Sequence, residues 1–455
     1  MAKAKLIHDY TTGSIPKHLF RFTLPFMASN ALQLVYSLVD MVIVGRFVGS
    51  AGLSGVSQGS TIVLLFTLFC IGFSSSGQIM IAQFVGANRK DQLSPLIGTL
   101  LSVMILGSAA LTVLALVLRG TVLRLMSVPP EAWDMARVYV TICGGGMIFT
   151  VLFNSISAIL RGMGDSRHPF VFLAVSSVLN LILDYILTGL LGLGVAGAAF
   201  ATIFSQAVSF AAAVVFLRRN KEEFHFDFRL RSFRIQGDLL RNMLRLGIPM
   251  ALQMVAINIS MMICHTFINQ LGVIASATFG VGVKVDDIGS KLTQGVQYAA
   301  APMMAQNFGA GKVKRVRGVV YWSWIMSAIV YLLFATAYLC FGREIFGLFT
   351  DDPEVIALAP VFIHAIVWSF PGMVILRGTN SFLQGTGSAK LLMAFAFIDS
   401  GARVLFSWLF GIVANTGFPG FVLGFGIAIY GICIPGTLYF LSKKWEGKKS
   451  MAHKE

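Results

Sequence analysis

Charged side chains are scarce in this sequence: Asp, Glu, Lys and Arg make up 12% of its 455 residues, against 56% apolar ones. No single water-soluble core can hide so much apolar surface, and the mean hydropathy of +0.78 excludes an ordinary soluble domain. Cysteine is rare as well. Cys70, Cys143, Cys264, Cys340 and Cys433 lie in apolar runs without CxxC spacing, so they read as small buried residues rather than as disulfide or metal partners. There is no HExxH and no Walker motif, which removes zinc hydrolysis and ATP-driven transport by this chain itself. Gly192-Leu-Gly-Val-Ala-Gly197 matches GxGxxG in form only, with no preceding strand and no following acid; its glycines are expected to shape a tight external turn. The first 18 residues lack the apolar core of a cleavable signal, so the first helix reads as a retained span.

What is present in quantity is membrane-length apolar sequence. Such stretches fall at 19–46, 53–85, 93–118, 133–160, 169–190 and 194–217, then at 246–269, 275–308, 318–341, 355–384, 391–413 and 419–441. They predict an all-α integral membrane protein with about twelve transmembrane helices. Landmarks repeat along it. Ala82-Gln83-Phe84-Val85-Gly86-Ala87 returns as Ala305-Gln306-Asn307-Phe308-Gly309-Ala310, and Leu160-Arg161-Gly162-Met163-Gly164 as Leu383-Gln384-Gly385-Thr386-Gly387, both 223 residues later. Leu24-Pro25 returns as Ile248-Pro249 at 224. The repeat predicts two six-helix lobes, 1–217 and 246–455, joined by a cytoplasmic linker at 218–245. An even number of helices per lobe makes the repeat parallel, with a pseudo-two-fold axis along the membrane normal.

Basic residues set the orientation. Alternate loops carry Lys3/Lys5, Arg89/Lys90, Arg161/Arg167, the linker, Lys312–Arg317, Lys390 and the tail Lys443–Lys449; the opposite loops hold little beyond Arg46, Arg119, Arg124 and Arg343. Both termini are therefore expected in the cytoplasm of a multi-pass plasma-membrane protein. The net charge of +15 is accounted for by this bias, and no nucleic-acid partner is expected. The linker, with Phe224, Phe226 and Phe228 among basic residues, reads as a solvated tether.

An ionisable group at the centre of a span costs about 2.5–3.5 kcal/mol on insertion scales, so each one needs a reason. Gln33, Tyr36 and Asp40 share a face of the first span, downstream of Pro25, whose missing N–H allows a bend. Asn180 and Asp184 share a face of the fifth, with Thr188 one turn on; Thr202, Gln206 and Ser209 form a stripe on the sixth. Counted from the helix ends, Asp40, Asp184 and Thr202 lie at similar depth in the outer half. Two carboxylates, an amide and a hydroxyl suit a hard cation such as Na⁺, or a proton shared by the acids; the bland alternative is a polar knot holding three helices.

Asp40 followed by Val44-Gly45-Arg46-Phe47-Val48-Gly49, the Gly77-Gln78…Ala82–Ala87 stretch, Leu160–Asp165 and Gly192–Ala199 resemble the multidrug and toxic compound extrusion (MATE) family over essentially the whole chain. The combination Asp40, Asn180, Asp184 and Thr202 resembles the cation site in the N-lobe of the family's DinF-like branch. That resemblance implies a secondary active drug/Na⁺ or drug/H⁺ antiporter working by alternating access, a helix that bends at Pro25, and a substrate cavity faced by Gln33, Tyr36 and Asn154. The NorM-like branch keeps acids in its C-lobe, whereas 246–269 and 355–384 hold none here. At the repeat offset Asn180 becomes Arg403 and Asp184 becomes Ser407, so coupling is expected in the N-lobe alone.

Lys284, Asp287 and Lys291, at i, i+3 and i+7 with Asp286 beside them, read as a structural ladder or as a second functional charge cluster. Asp399 and Arg403 read as a structural i,i+4 pair. His265 and His364 read as satisfied buried imidazoles. No cofactor is expected beyond the coupling ion, Na⁺ or H⁺. The expected partners are amphiphilic, cationic organic substrates and membrane lipids, with the monomer as the working unit. Two other readings stay open: a flippase for a lipid-linked precursor, for which Lys284, Lys291, Arg377 and Arg403 are the available cations, and an exporter of non-drug metabolites. A channel or scaffold fits the duplication and paired acids less well.

Overall fold

The computed structural model describes residues 7–126 and 128–453; Lys3 and Lys5 lie outside them. Among these residues nine helices are long and apolar enough to cross a membrane, and Pro130–Gly145 with Met147–Gly162, bent by 49°, makes a tenth. The first helix, α1, runs Ile15–Gly86. Its 72 residues would measure about 108 Å at 1.5 Å per residue, far beyond one bilayer. It is two spans broken at Gly49, whose φ of 83° only glycine adopts readily. Val273–Gly309 is also long enough to span, but carries Lys284, Asp286, Asp287 and Lys291. Counting both, the described residues hold the twelve spans the sequence predicts. Gly55–Gly59 spells GxSxG, the nucleophile-elbow pattern, but lies within continuous α1 rather than on a strand-to-helix turn.

The chain divides into two compact units. Unit 1 takes 1–9 and 28–251: α1 from Ala28, then α2 (Leu93–Leu125), α3 (Pro130–Gly145), α4 (Met147–Gly162), α5 (Arg167–Asp184), α6 (Gly194–Arg219) and the start of α7 (Gly237–Asn269). Unit 2 takes 10–27 and 252–455: the start of α1, the rest of α7, then α8 (Val273–Gly309), α9 (Val313–Cys340), α10 (Pro353–Ile366), α11 (Phe370–Gly385), α12 (Ala389–Trp408), α13 (Phe418–Ile427) and α14 (Tyr430–Leu441). The chain changes unit after Met27 and after Ala251, two residues past Pro25 and Pro249. Each crossing segment rests on a glycine. A Cβ on Gly295 would lie 3.0 Å from Met27 N, and one on Gly72 would lie 2.9 Å from Ala251 N. These glycines are themselves 223 apart.

The repeated Ala-Gln motif has a structural task in unit 2. Gln306 Oε1 accepts from Tyr10 N–H at 3.0 Å, and Asn307 Nδ2 donates to Tyr10 O at 3.1 Å. Lys312 Nζ donates to Thr11 O at 2.9 Å, and Arg315 reaches the carbonyls of Tyr10, Thr12 and Gly13. Part of the basic charge read above as orienting the protein thus clamps the N-terminal segment.

In unit 1 the linker departs from the expected solvated tether. Phe224 and Phe226 are buried, Ser102 Oγ donates to Phe233 O at 2.7 Å, and Gln236 N donates to Thr99 Oγ1 at 3.2 Å. Phe226 lies beside Gly98 of α2 and Phe224 packs on Phe216 of α6 instead of facing water. Asp227 fastens the turn: bonds from the Ser232 hydroxyl and the Arg229 N–H hold its carboxyl below the ordinary carboxylate range. In unit 2 the basic tail is docked too, with Trp445 fully buried against Phe382 and Glu446 paired with Arg317.

Outward faces remain apolar, as at Leu106, Val113 and Val117 of α2 and Leu332 and Leu333 of α9, which is what lipid contact requires. The five cysteines are free; four are buried, and Cys340 is exposed, unlike the reading from its apolar run. His364 is exposed as well, bonding its own Pro360 carbonyl.

Candidate cation site in unit 1

Helices α5 and α6 are registered by side chains that bond across to backbone. Ser176 Oγ donates to Ser205 O at 3.0 Å and Ser209 Oγ to Phe172 O at 2.9 Å. Beyond them Gly197 lets α6 approach so closely that a Cβ would lie 2.8 Å from Leu187 C. Gly192 and Gly194, with φ of 64° and 56°, make the turn between the two helices, as expected of them. Immediately after Asp184 the helix widens into a π turn, Tyr185–Leu190, a distortion often found at functional sites.

This frame brings the predicted residues together. Asp184 is fully buried and Asn180 nearly so, while Asp40 and Thr202 are half-buried. The carboxyl groups of Asp40 and Asp184 approach closely enough to interact directly, and the Tyr36 hydroxyl lies by Thr202 within the field of both acids. Thr202 Oγ1 donates its proton to Ala198 O at 3.0 Å, so it offers the site lone pairs. Ordinary hydrogen bonds do not satisfy the cluster. Asp40 Oδ1, both Asp184 oxygens, both polar atoms of the Asn180 amide, Thr188 Oγ1 and Gln206 Oε1 are buried with no partner. Each such orphan costs about 1–3 kcal/mol, which weighs against a self-contained polar knot. Neither acid has an ion pair among the described residues, and two facing carboxylates without a basic partner call for a cation or a proton between them. The unpaired groups are nearly all oxygens, the donor set of a hard cation. Among the described residues no three His, Cys, Asp or Glu side chains gather, so the set does not resemble a transition-metal site.

Sequence reasoning missed the back wall. Tyr139 and Cys143 of α3 lie within the field of the acids and belong to an apolar cluster with Val44, Val56, Val195, Ala198 and Ala199. Their i,i+4 spacing was the available signal. The other predicted residues are placed as follows. Gln33 is exposed, Tyr36 and Asn154 are half-buried, and Asn154 Nδ2 donates to Thr150 O at 2.9 Å in its own helix. The backbone stays helical through Pro25, and the only non-helical residue in α1 is Gly49.

In unit 2 the charges fall differently from the three-member ladder. Lys291 Nζ pairs with Asp287 Oδ2 at 3.1 Å, Lys284 is exposed with no ion pair to Asp287, and half-buried Asp286 lies within the field of Arg377. Asp399 and Arg403 form the expected pair, with Arg403 Nη2 2.7 Å from Asp399 Oδ2, both buried.

Known proteins bear on this geometry. The MatE family model matches residues 25–186 and 249–409. The probable multidrug resistance protein YoeA of Bacillus subtilis (strain 168) is 31% identical over 383 residues, 83% of this chain and 82% of that protein. The probable multidrug resistance protein YpnP of the same organism is 27% identical over 98% of this chain and 99% of its own length. In fold, the chain is similar to a solved outward-facing conformation of a multidrug resistance MATE family transporter of the MOP superfamily, with a TM-score of 0.91, 21% identity and full coverage of both chains. The two matched copies begin at Pro25 and Pro249, the prolines that precede the changes of unit, and together they cover most of a multi-pass membrane chain; it belongs to the MatE family of multidrug and toxic compound extrusion transporters.

Proposed function

We propose that this protein is a secondary active antiporter that exports amphiphilic, cationic organic compounds in exchange for inward Na⁺ or H⁺. The observation that carries the reading is the Asp40–Asp184 pair, buried beside orphaned oxygens and without a basic partner. Such a pair holds its charge only with a cation or proton bound, so its occupancy changes the local charge by one and biases the helices that bear it. Asn180 and Thr202 supply the neutral oxygens; Gln33, Tyr36 and Asn154 face the substrate cavity, and α1 bends at Pro25 as the site loads and empties. The lobes 1–217 and 246–455, joined by 218–245, give alternating access by rocking, with both termini in the cytoplasm and the monomer as the working unit. The names of YoeA and YpnP as multidrug resistance proteins support the drug reading over metabolite export.

The flippase alternative has less support. Of its four candidate cations, Arg377 and Arg403 are buried in bonds to unit 2's own residues and Lys291 is paired with Asp287, which leaves Lys284 to meet a pyrophosphate. Counterflow in proteoliposomes tests the choice: cationic dyes should exchange under an imposed Na⁺ or pH gradient, and a lipid-linked sugar should not. Movement of the lipid-linked sugar alone would overturn the drug reading.

A further inference from the structure

Unit 2 carries a buried charged group that the acid pair of unit 1 does not explain. On α8, Asp286, Ser290, Thr293 and Gln297 follow at helical spacing and form one stripe. Arg377 of α11 lies against that stripe, 5% exposed. Its Nε donates to Thr293 Oγ1 at 3.1 Å and its Nη1 to Gln297 Oε1 at 3.4 Å, while Nη2 donates to Ser290 O at 3.0 Å and to Ser290 Oγ at 2.6 Å. Every one of these acceptors is neutral. The acid at the end of the stripe, Asp286, feels the guanidinium but forms no ion pair with it, and its Oδ1 is buried without a hydrogen-bond partner. Tyr331 of α9, 2% exposed, sets a hydroxyl beside Arg377 and Thr293 that is equally unpartnered.

Among the other titratable neighbours, Cys433 of α14 lies in the field of Arg377 and donates to Gly372 O at 3.0 Å. Tyr338 of α9 donates to Gly282 O at 3.4 Å, Asp287 is paired with Lys291, and Lys284 is exposed. From α10, Glu354 is exposed at the first turn and His364 bonds Pro360 O. The buried guanidinium is thus held by neutral groups on the turns of α8 that follow Asp286, whose own oxygen is unfilled.

We propose that Asp286 is a proton-binding site in unit 2 and that Arg377 is its movable counter-charge. With the carboxyl protonated, the guanidinium keeps its bonds to Ser290, Thr293 and Gln297. When the proton leaves for water at the exposed edge of the half-buried Asp286, the carboxylate draws the guanidinium one turn along α8. Thr293 and Gln297 are then released, and α11 shifts against α8. The site is not the repeat counterpart of the acid pair, which falls at Cys264 at an offset of 224 and Ser407 at 223.

Infrared difference spectroscopy tests the proton directly. In a chain already carrying Asp40→Asn and Asp184→Asn, a protonated-carboxyl band should still titrate with pH, and adding Asp286→Asn should remove one component of it. No transport is measured, so this outcome stands or falls apart from the antiport reading. In the otherwise unaltered chain, Asp286→Asn and Arg377→Gln should each slow export about tenfold and flatten its pH profile, and the double variant should be no slower than either alone. If Arg377→Gln does not fold, Arg377→Lys is read by the same pH profile. An infrared difference unchanged by Asp286→Asn, or two losses that multiply in the double variant, overturns the proposal.

Discussion

Where unit 1 sets Asp40, Asn180, Asp184 and Thr202, the repeat offset, 224 in the first span as at Pro25 and 223 beyond it, puts Cys264, Arg403, Ser407 and Phe425 in unit 2. The backbone frame is kept. A π turn follows each position, Tyr185–Leu190 and Leu409–Val413, and Cys264 Sγ lies 3.6 Å from Ser407 Oγ and 3.7 Å from Arg403 O. The chemistry is inverted. The guanidinium of Arg403 lies over the Phe425 ring, 5.0 Å from its centre, and pairs with Asp399 at 2.7 Å. Unit 2 thus carries its cation on a side chain, balanced by its own acid, while unit 1 presents two acids and no cation. A tethered cation cannot exchange, and a pair of unmatched acids must acquire a partner. The difference teaches that a duplicated frame can keep its packing while its two copies carry opposite charge at matching positions.

The sharpest way to break the comparison is to neutralise the acids of unit 1. Asp40→Asn and Asp184→Asn each leave a shape-matched amide, and both should abolish export driven by an imposed ion gradient while the protein stays folded, as measured by dye efflux from proteoliposomes. In unit 2 the corresponding damage should be to stability. Asp399→Asn leaves Arg403 buried without its counter-ion and should lower unfolding stability by about 3–5 kcal/mol, seen in thermal denaturation, while surviving protein still couples. A smaller effect should treat both units alike: Gly72→Val and Gly295→Val push a branched side chain into the backbone of the crossing segment, costing about 1–3 kcal/mol each. Smallest of all is Asp287→Asn. Its partner Lys291 and the acid itself are 41% and 52% exposed, so thermal stability should change by about 1 kcal/mol or less.

Much of this was legible in the sequence because membrane burial enforces simple patterns. Apolar length marked the spans, and the offset of 223 found both the duplication and the loss of carboxylates at Arg403 and Ser407. The acid pair was legible because two intramembrane acids at matching depth have few innocent explanations. What stayed hidden depends on contacts made across the chain. Periodicity on one helix grouped Lys284 with Asp287, but could not say that Asp286 lies within the field of Arg377, 91 residues away. The linker's alternating phenylalanines gave no sign that Phe224 and Phe226 would be buried against α6 and α2, and nothing near Pro25 or Pro249 told which unit each crossing segment would join. Tyr139 and Cys143 looked like ordinary apolar-span residues until α3 was seen against the acids.

The central claim is that the exchangeable cation binds in unit 1 and has no equivalent place at Arg403. It is tested most directly by the binding of radiolabelled sodium to, and proton release from, the purified protein in detergent, comparing the parent chain with Asp184→Asn and Asp399→Asn. The account predicts that Asp184→Asn removes the bound sodium, or the share of released protons that does not come from Asp286, and that folded Asp399→Asn keeps it. Full binding by Asp184→Asn, or loss of binding confined to Asp399→Asn, would contradict it.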